Sequence, residues 1–267
     1  MPNTWAGTPS ASNVSLGRGS IYIDRIDANG VSTGYIHLGN CDAFGVQPSV
    51  EKKQLANFMV DTTAPYKEVN VKTDLQMTIS GFEFAPEVLA LNTLGTVVAY
   101  TQSAATVVAE ALATASVTKT GRSFKTLKRN ISALAVKQGG TTLTLTTDYT
   151  FDATTGMISF PLTSAVVDAS AVTVDYTAAA VVAADGVKKI QVANNGSIEG
   201  KVFFSPEPAA GPEIEATYFR VNLAPDGELS LISEDFNKWT LSGSVQDDSA
   251  GAYGGSTSSP YGELIVR

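Results

Sequence analysis

The chain has 267 residues, of which 43% are hydrophobic and 16% are charged, and its net charge is −8. This length and hydrophobic content suffice for one large domain or two smaller ones. The acidic balance excludes proteins that clamp nucleic acid through clustered lysine and arginine.

The composition also constrains the class and compartment of the protein. The single cysteine, Cys41, excludes an intrachain disulfide and is compatible with a reducing cytosol. The first fifteen residues contain neither a basic nor an apolar region of the kind found in signal peptides, so we expect none. No window approaches the roughly 18 apolar residues of a membrane span. The 23 glycines and the many Thr, Ser, Val and Ala residues predict an all-β protein.

The N-terminal third predicts a hairpin followed by a long loop. Ser20–Ile26 and Tyr35–Leu38 are predicted strands, and Asn29-Gly30 between them is a strong tight-turn signal. Gly45–Tyr66, with two prolines, is predicted to be irregular and exceeds the ~12–15 residues beyond which structureless loops are uncommon. Its apolar residues lie among charged ones, which favours ordering against a partner over simple disorder.

The segment Lys67–Ser80 alternates apolar and polar residues over fourteen positions, as a half-buried antiparallel strand does. At about 3.3 Å per residue it would span roughly 46 Å, which predicts a large curved sheet with water along one whole face. The apolar face is interrupted only by Thr73. The predicted polar face consists of Glu68, Asn70, Lys72, Asp74, Gln76 and Thr78.

A single short helix and an inserted module are expected next. Phe84–Gly95 is predicted to be helical, with Pro86 in its first turn and Gly95 at the C′ position, whereas Ala104–Ala115 is ambiguous between helix and strand. Val117–Val182 carries a net charge of +2 and short strand candidates between turn signals, which predicts a small β-sandwich. The candidates are Thr142–Thr146, Asp148–Asp152, Met157–Phe160 and Ala171–Tyr176.

The C-terminal part returns to long strands, and Asn237–Gln246 repeats the alternation of the long strand. The predicted strands are Ser197–Phe204, Glu213–Leu223, Glu228–Ile232, Phe236–Asp247 and Glu263–Val266. We therefore predict a mainly β fold: an antiparallel β-sandwich or half-barrel with long strands and one short flanking helix. Residues 1–116 and 183–267 would form this discontinuous core, and residues 117–182 the inserted β module.

The sequence contains no residue pattern typical of a catalytic or metal-binding site. His37 is the only histidine and is predicted to be structural, and Cys41 is predicted to be a small buried hydrophobic residue. The acidic pairs Glu234-Asp235 and Asp247-Asp248 lack calcium-loop spacing, and the glycines near Arg18 precede a strand rather than a helix. We predict no catalytic residue, no cofactor and no metal site, and hence a protein that is not an enzyme.

The order of predicted elements, a hairpin, a loop, a very long strand and a helix, resembles that of a known family. The stretches GRGSIYIDR, GYIHLGNCDAF, EVNVKTDLQMTISGF, PEVLALNTLG and YFRVNLAPDGELSLISEDF resemble the major tail tube proteins of tailed bacteriophages. The predicted insert, with DYTFDATTGMISF, looks like the immunoglobulin-like additions of phage tail proteins.

The resemblance implies a structural virion protein, assembled in the host cytoplasm into stacked hexameric rings that form the hollow tail tube. Its partners would be copies of itself and the terminator, tape measure and distal tail proteins, and DNA would pass through the lumen without specific binding. The loop residues Leu55, Phe58, Met59 and Tyr66 would contact a neighbouring subunit, and the polar residues Glu68 to Thr78 would face the lumen.

Two other classes remain open at this point. A glycan-binding adhesin would use an aromatic platform such as Trp5 and Trp239, although Trp239 lies on the apolar side of its predicted strand. A capsid decoration or head–tail connector protein would bind other virion proteins instead of polymerising with itself.

Overall fold

The structure, a computed structural model, describes residues 14–27, 30–59 and 65–267. The first strands and the α-helix are β1 (Gly19–Ile26), β2 (Ser32–His37), β3 (Cys41–Ala56), β4 (Pro65–Gly81), α1 (Pro86–Asn92) and β5 (Thr96–Ala99). The middle strands are β6 (Ala105–Ala113), β7 (Ser123–Lys125), β8 (Ile131–Gln138), β9 (Thr141–Thr142), β10 (Thr150–Asp152), β11 (Met157–Ser159) and β12 (Val172–Ala178). A 3₁₀ turn at Ala183–Asp185 precedes β13 (Lys188–Gln191), β14 (Ile198–Pro206), β15 (Ile214–Pro225), β16 (Trp239–Val245) and β17 (Gly262–Val266).

The chain forms two compact units. Unit 1 comprises Met1–Val97 and Ile190–Arg267, and unit 2 comprises Val98–Lys189. A discontinuous core with an inserted unit is thus observed, but the insert is wider than the predicted 117–182. The reason is β6, the Ala-rich segment left ambiguous above, which is a strand that pairs with β12 and so belongs to the insert. The fold is mainly β with antiparallel sheets, as predicted.

Unit 1 is built on one eight-stranded sheet with the order β2-β1-β14-β15-β16-β4-β3. β15 is long enough to pair twice along one edge: its C-terminal half pairs with β16 and its N-terminal half with β17. Within the described residues the sheet does not close, so that β2 and β3 are the strands at its two ends, and β17, which pairs only with β15, has a free edge as well. Their outward backbone N–H and C=O groups are available for pairing with another chain.

The sheet curls so that its two ends face each other across an apolar core. Phe44 of β3 stacks on Phe204 of β14 with ring centroids 5.5 Å apart, and its ring edge meets Tyr218 of β15 at 6.1 Å. Helix α1 packs against β15 and β16 and contributes Val88 and Leu91 to the same core. The result is the expected sandwich-like half-barrel with one flanking helix.

Helix α1 is shorter than predicted: it begins at Pro86 and ends at Asn92 instead of spanning Phe84–Gly95. Pro86 is its first residue, where the missing N–H costs no intrahelical bond. At the other end the left-handed C′ residue is Leu94 (φ 48°), not Gly95. Gly95 N–H bonds to Ala90 O at 2.7 Å, and Leu94 N–H bonds to Leu91 O at 3.1 Å, which is the Schellman arrangement with Gly95 at C″.

The predicted loop Gly45–Tyr66 is wrong for most of its length. β3 runs to Ala56 and pairs with β4 from Cys41↔Gly81 to Ala56↔Pro65, so the two strands form one very long hairpin. The segment was predicted as a loop because it contains two prolines. Pro48 is tolerated because β3 is an edge strand, and Pro65 because it is the first residue of β4. Of the connection, residues 60–64 lie outside the described residues.

The other predicted strands of unit 1 are found with shifted ends, with one exception. Glu228–Ile232 is not a strand but part of an irregular segment between β15 and β16. In this segment Leu231, Ile232 and Phe236 are each more than 75% exposed. Asn29 of the predicted tight turn lies outside the described residues, and Gly30 has the positive φ of 79° expected of a turn glycine.

Unit 2 has its own core between a four-stranded sheet, β6-β12-β8-β9, and a three-stranded sheet, β10-β11-β7. Ile158 of β11 and Val174 of β12 are fully buried in one apolar cluster, so the two sheets enclose a common interior. β7 and β8 were not predicted. The candidates Thr142–Thr146 and Asp148–Asp152 are strand only at Thr141–Thr142 and Thr150–Asp152, because a turn with Thr146 at φ 71° lies between them.

The two cores predict two separable unfolding transitions. Ile158→Ala in unit 2 and Ile79→Ala in unit 1 each truncate a side chain that is 0% exposed, at a cost of about 2–5 kcal/mol. Trp239 lies in the core of unit 1, and unit 2 contains no tryptophan. In urea titrations, tryptophan fluorescence should therefore shift in Ile79→Ala only, whereas far-UV circular dichroism should record both losses. An equal fluorescence shift in Ile158→Ala would show that the chain unfolds as one cooperative body.

Candidate functional site

The side of the sheet that faces away from the core forms a polar surface four strands wide, which we call the polar face. Cross-strand pairs place its members side by side, because directly opposite residues point to the same face. All are exposed or half-buried hydroxyl or amide side chains. They are Gln47 and Ser49 of β3, Gln76 and Thr78 of β4, Ser242 and Ser244 of β16, and Asn222 of β15.

Charged groups around the polar face are paired with one another. Lys72 Nζ lies 2.7 Å from Asp74 Oδ2 on β4. Arg220 Nη2 lies 2.6 Å from Glu199 Oε1 on the β14–β15 side. Lys238 Nζ lies 2.6 Å from Asp42 Oδ2 at the base of the hairpin. The charged side chains that lie among or beside these hydroxyl and amide groups, such as Asp74 opposite Ser49 and Glu199 opposite Asn222, are therefore held in ion pairs.

Asp42 ties the base of the hairpin to the neighbouring strands. Its carboxylate accepts a hydrogen bond from Ser80 Oγ at 2.8 Å and the bond from Lys238 at 2.6 Å. These bonds, that from Lys238 first, lower the pKa of the Asp42 carboxyl below its usual value. Asp42 is the extra residue of a β-bulge, since Cys41 pairs with Gly81 and Ala43 with Ser80.

The outer half of the hairpin, described at residues 51–59 and 65–72, projects from the core, and we call residues 51–72 the arm. Except for Asn57, every described residue of the arm is exposed. All four residues predicted for a subunit contact lie in it: Leu55 in β3, Tyr66 in β4, and Phe58 and Met59 at the tip. Their side chains are 53%, 63%, 86% and 77% exposed, respectively. The structure thus brings the predicted contact residues together, on a paired hairpin instead of a loop.

A β-bulge at the start of the arm breaks the predicted polar face in two. Glu51 pairs with Lys72 but Lys52 pairs with Asn70, which leaves Val71 as an extra residue in β4. Neighbours in β3 point to opposite faces, so Lys72 and Asn70 do as well. Lys72, Asp74, Gln76 and Thr78 lie on the polar-face side, as predicted. Glu68 and Asn70 lie on the other side, and their assignment to one continuous face is wrong.

The two sides of the arm differ in chemistry. On the core-facing side, Glu68 bonds with Lys52 Nζ at 2.6 Å and Gln54 Nε2 at 2.7 Å, so that this side is satisfied within the arm. On the polar-face side, Lys53 lies opposite Val69, and Leu55 opposite Lys67. Neither lysine of this basic-apolar side has an ion-pair partner among the described residues. Sequence reasoning missed Lys53 and Lys67, because only the bulge reveals which side they share.

Residues considered for catalysis have structural surroundings. His37 Nδ1 accepts a hydrogen bond from Gly39 N–H at 2.9 Å, and its ring packs edge-on against Tyr22. Cys41 is half-buried beside the core instead of fully buried, and desolvation raises the pKa of its thiol to about 11. Trp239 is 2% exposed and donates its indole N–H to Glu83 O at 2.8 Å.

The concave side of the curled sheet contains an open cavity of ≈ 620 Å³. Its walls are mainly apolar and include Ile21, Val46, Phe204 and Tyr218. Within the part of the chain that the structure describes, no three His, Cys, Asp or Glu side chains are grouped closely enough to hold a metal ion. Among the same residues, no helix has the length and hydropathy needed to cross a membrane.

The bonds of Asp42 predict a stability effect that depends on pH. A carboxyl whose pKa is lowered in the folded state stabilises it above the unfolded-state pKa of about 3.9, and this contribution is lost as pH falls through the lower folded-state value. Asp42→Asn should therefore lower the melting temperature at pH 6, and by less at the lowest pH at which the protein stays folded. Asp226→Asn, an exposed carboxyl without an ion pair among the described residues, is the control. A penalty for Asp42→Asn that is the same at both pH values would contradict the assignment.

The chain matches one family model over most of its length. Residues 14–265 match the family described as "Protein of unknown function UCP028589". No curated protein matches the chain. Because the match covers nearly the whole chain, the protein belongs to the family UCP028589.

Proposed function

We propose that the protein is a structural subunit that assembles with copies of itself into stacked rings, forming a tube of the phage-tail type through which DNA passes. The observation that carries this proposal is the polar face. It is four strands wide, wet, and free of unpaired charge near its centre, yet it lies on a sheet whose two edges are open. Such a face is suited to lining a water-filled channel.

The open edges support assembly over an isolated monomer. β3 has 16 residues and β2 has 6, and in the single chain each leaves one row of backbone hydrogen-bonding groups unpaired by the sheet. Long exposed edges promote pairing with other chains unless they are covered. In a ring, neighbouring copies would cover these edges and prevent uncontrolled pairing. If the sheets of several copies close into one barrel, no free edge remains.

The polar face also supports passage of DNA without retention. Binding to the phosphate backbone draws its free energy from lysine and arginine side chains that displace counterions. The polar face offers hydroxyl and amide groups instead, and the cations Lys72, Arg220 and Lys238 already have anionic partners. A duplex facing such a wall gains little binding free energy and can move along it.

Stacking of rings is a head-to-tail contact and has no intrinsic end. Tube length must then be limited by other proteins, which is the role that the family resemblance suggests for terminator and tape measure proteins. On this proposal the protein is located in the virion tail after assembly in the host cytoplasm.

The competing functions are less well supported. Trp239 could not contribute to a glycan-binding platform, because it is buried and hydrogen-bonded in the core. Trp5 lies outside the described residues. A capsid decoration or connector protein would expose the same arm but would bind other virion proteins and stay unassembled alone. Self-assembly of the purified protein separates these classes.

The first test is assembly through the arm tip. Phe58→Asp places a charge on a side chain that is 86% exposed, so the variant should fold normally but lose most of its sedimentable assemblies because the apolar contact is lost. Leu162→Asp in unit 2, at 82% exposure, is the matched control and should assemble like the unmodified chain. Sedimentation and negative-stain microscopy are the measurements. Normal tubes from Phe58→Asp would exclude the tip as an assembly contact.

The second test concerns the polar face and DNA. Assemblies of the unmodified chain should not retain duplex DNA, whereas Gln76→Lys/Thr78→Lys should retain it with an affinity that falls steeply as salt rises. Two lysines at exposed positions of unit 2, Thr147→Lys/Thr163→Lys, serve as the control for added charge. Equal DNA retention by both double variants would show that the polar face has no special access to DNA.

A further inference from the structure

A second exposed surface matches the basic-apolar side of the arm in charge and spacing. It lies at the far corner of the same sheet, where β17 pairs with β15. Glu263 of β17 lies opposite Thr217, and Ile265 lies opposite Glu215. These side chains share a face with Phe203, since Phe203 pairs with Thr217 across β14 and β15. We call this surface the acidic corner.

The two surfaces have the same two-by-two arrangement. In the arm, the lysines occupy one diagonal, Lys53 and Lys67, and the apolar residues the other. In the acidic corner, the glutamates occupy one diagonal, and Ile265 and Thr217 the other. Diagonal neighbours in an antiparallel pair are about 7–8 Å apart whichever strands form it. Two lysines spaced this way can therefore meet two glutamates while the apolar side chains meet between them.

Exposure and charge leave both surfaces free to make this contact. Leu55 and Val69 of the arm are 53% and 49% exposed, and Ile265 of the acidic corner is 47% exposed. Glu263 has no ion pair among the described residues, and Glu215 has only a long one, 3.5 Å from Arg267 Nη2. Tyr35, 53% exposed, lies beside Phe203 with ring centroids 6.2 Å apart and extends the apolar area.

The charge distribution of the chain indicates that the partner of the arm is a second copy of the chain. Residues 51–72 contain four lysines and three acidic residues, so the arm is net +1 within a chain of net charge −8. The remaining residues together carry −9. A positively charged arm on a negatively charged body is attracted to the body of another copy, and unlike charges also set the register of docking.

We propose that the basic-apolar side of the arm docks onto the acidic corner of a second copy, with Lys53 and Lys67 paired to Glu215 and Glu263. The contact joins two different patches, so it is heterologous and repeats from copy to copy. The bulge at Val71 is what makes it available. Without the extra residue, Val69 and Lys67 of β4 would point to the core-facing side, away from Lys53 and Leu55 of β3. This inference rests on the proposed self-assembly and specifies its contact.

A charge-reversal experiment tests the pairing. Lys53→Glu/Lys67→Glu and Glu215→Lys/Glu263→Lys should each reduce the sedimentable assembly by roughly tenfold or more, because like charges then face each other. The quadruple variant carrying both sets should restore assembly. The control is Lys52→Glu/Glu68→Lys, which swaps an ion pair on the other side of the arm and should assemble normally.

The outcomes separate this contact from the proposed function. If the unmodified chain does not assemble, the proposed function fails. If it assembles and Lys53→Glu/Lys67→Glu assembles equally well, the function stands and the docking contact is wrong. If both double variants fail while folded, as judged by circular dichroism, and the quadruple variant also fails, the two surfaces are not partners and the pairing is overturned.

Discussion

The constraint on which the rest of the structure depends is the length of the β3–β4 hairpin relative to the core beneath it. On β4, Met77 and Ile79 are fully buried and Leu75 is partly buried, but Val69 is half exposed. One chain supplies enough apolar surface to cover only the inner half of the hairpin. Each square ångström of apolar surface left in water forgoes about 25 cal/mol. The outer half would therefore gain stability from a covering surface, and in our proposal a second copy of the chain provides it.

The bulge at Val71 lets the same two strands serve two purposes. A strand that alternates without a break would present its apolar side chains to one face along its whole length. The extra residue reverses this in β4, so the inner half points Met77 and Ile79 into the core and the arm points Val69 the other way, on the same side as Leu55 of β3. The hairpin can thus anchor in its own subunit by one face and dock by the other. The polar face between these regions stays wet, which is what a channel wall requires.

The sequence predicted the parts of the fold that local chemistry decides. β4 was recognisable because its period of two continues through fourteen residues, and α1 because of Pro86 and its apolar residues. β3 was missed because Gly45, Pro48 and a run of charges are typical of loops, and only pairing with β4 makes them a strand. The bulge depends on the partner strand's register, so no pattern within β4 alone reveals it. The N-terminal boundary of unit 2 was predicted at residue 117 but lies at Val98. The reason is the same, since β6 is recognised as part of unit 2 only by its pairing with β12.

The candidate site was predictable in composition but not in geometry. The polar residues Lys72 to Thr78 were correctly grouped, while Glu68 and Asn70 were assigned to the wrong side of the sheet. Leu55, Phe58, Met59 and Tyr66, predicted to contact a neighbouring subunit, lie together on the arm, although their backbone was predicted as a loop and is a hairpin. Lys53, Lys67, Glu215 and Glu263 could not be found from spacing, because each pair comes together only across two strands.

The most direct measurement of the central claim is a cryo-electron microscopy reconstruction of the particle that the purified protein forms at high concentration. The account predicts rings around an axial channel, with Gln76, Thr78, Ser242 and Ser244 facing the channel. A particle in which these four side chains are buried against another copy, or face the exterior, would contradict it.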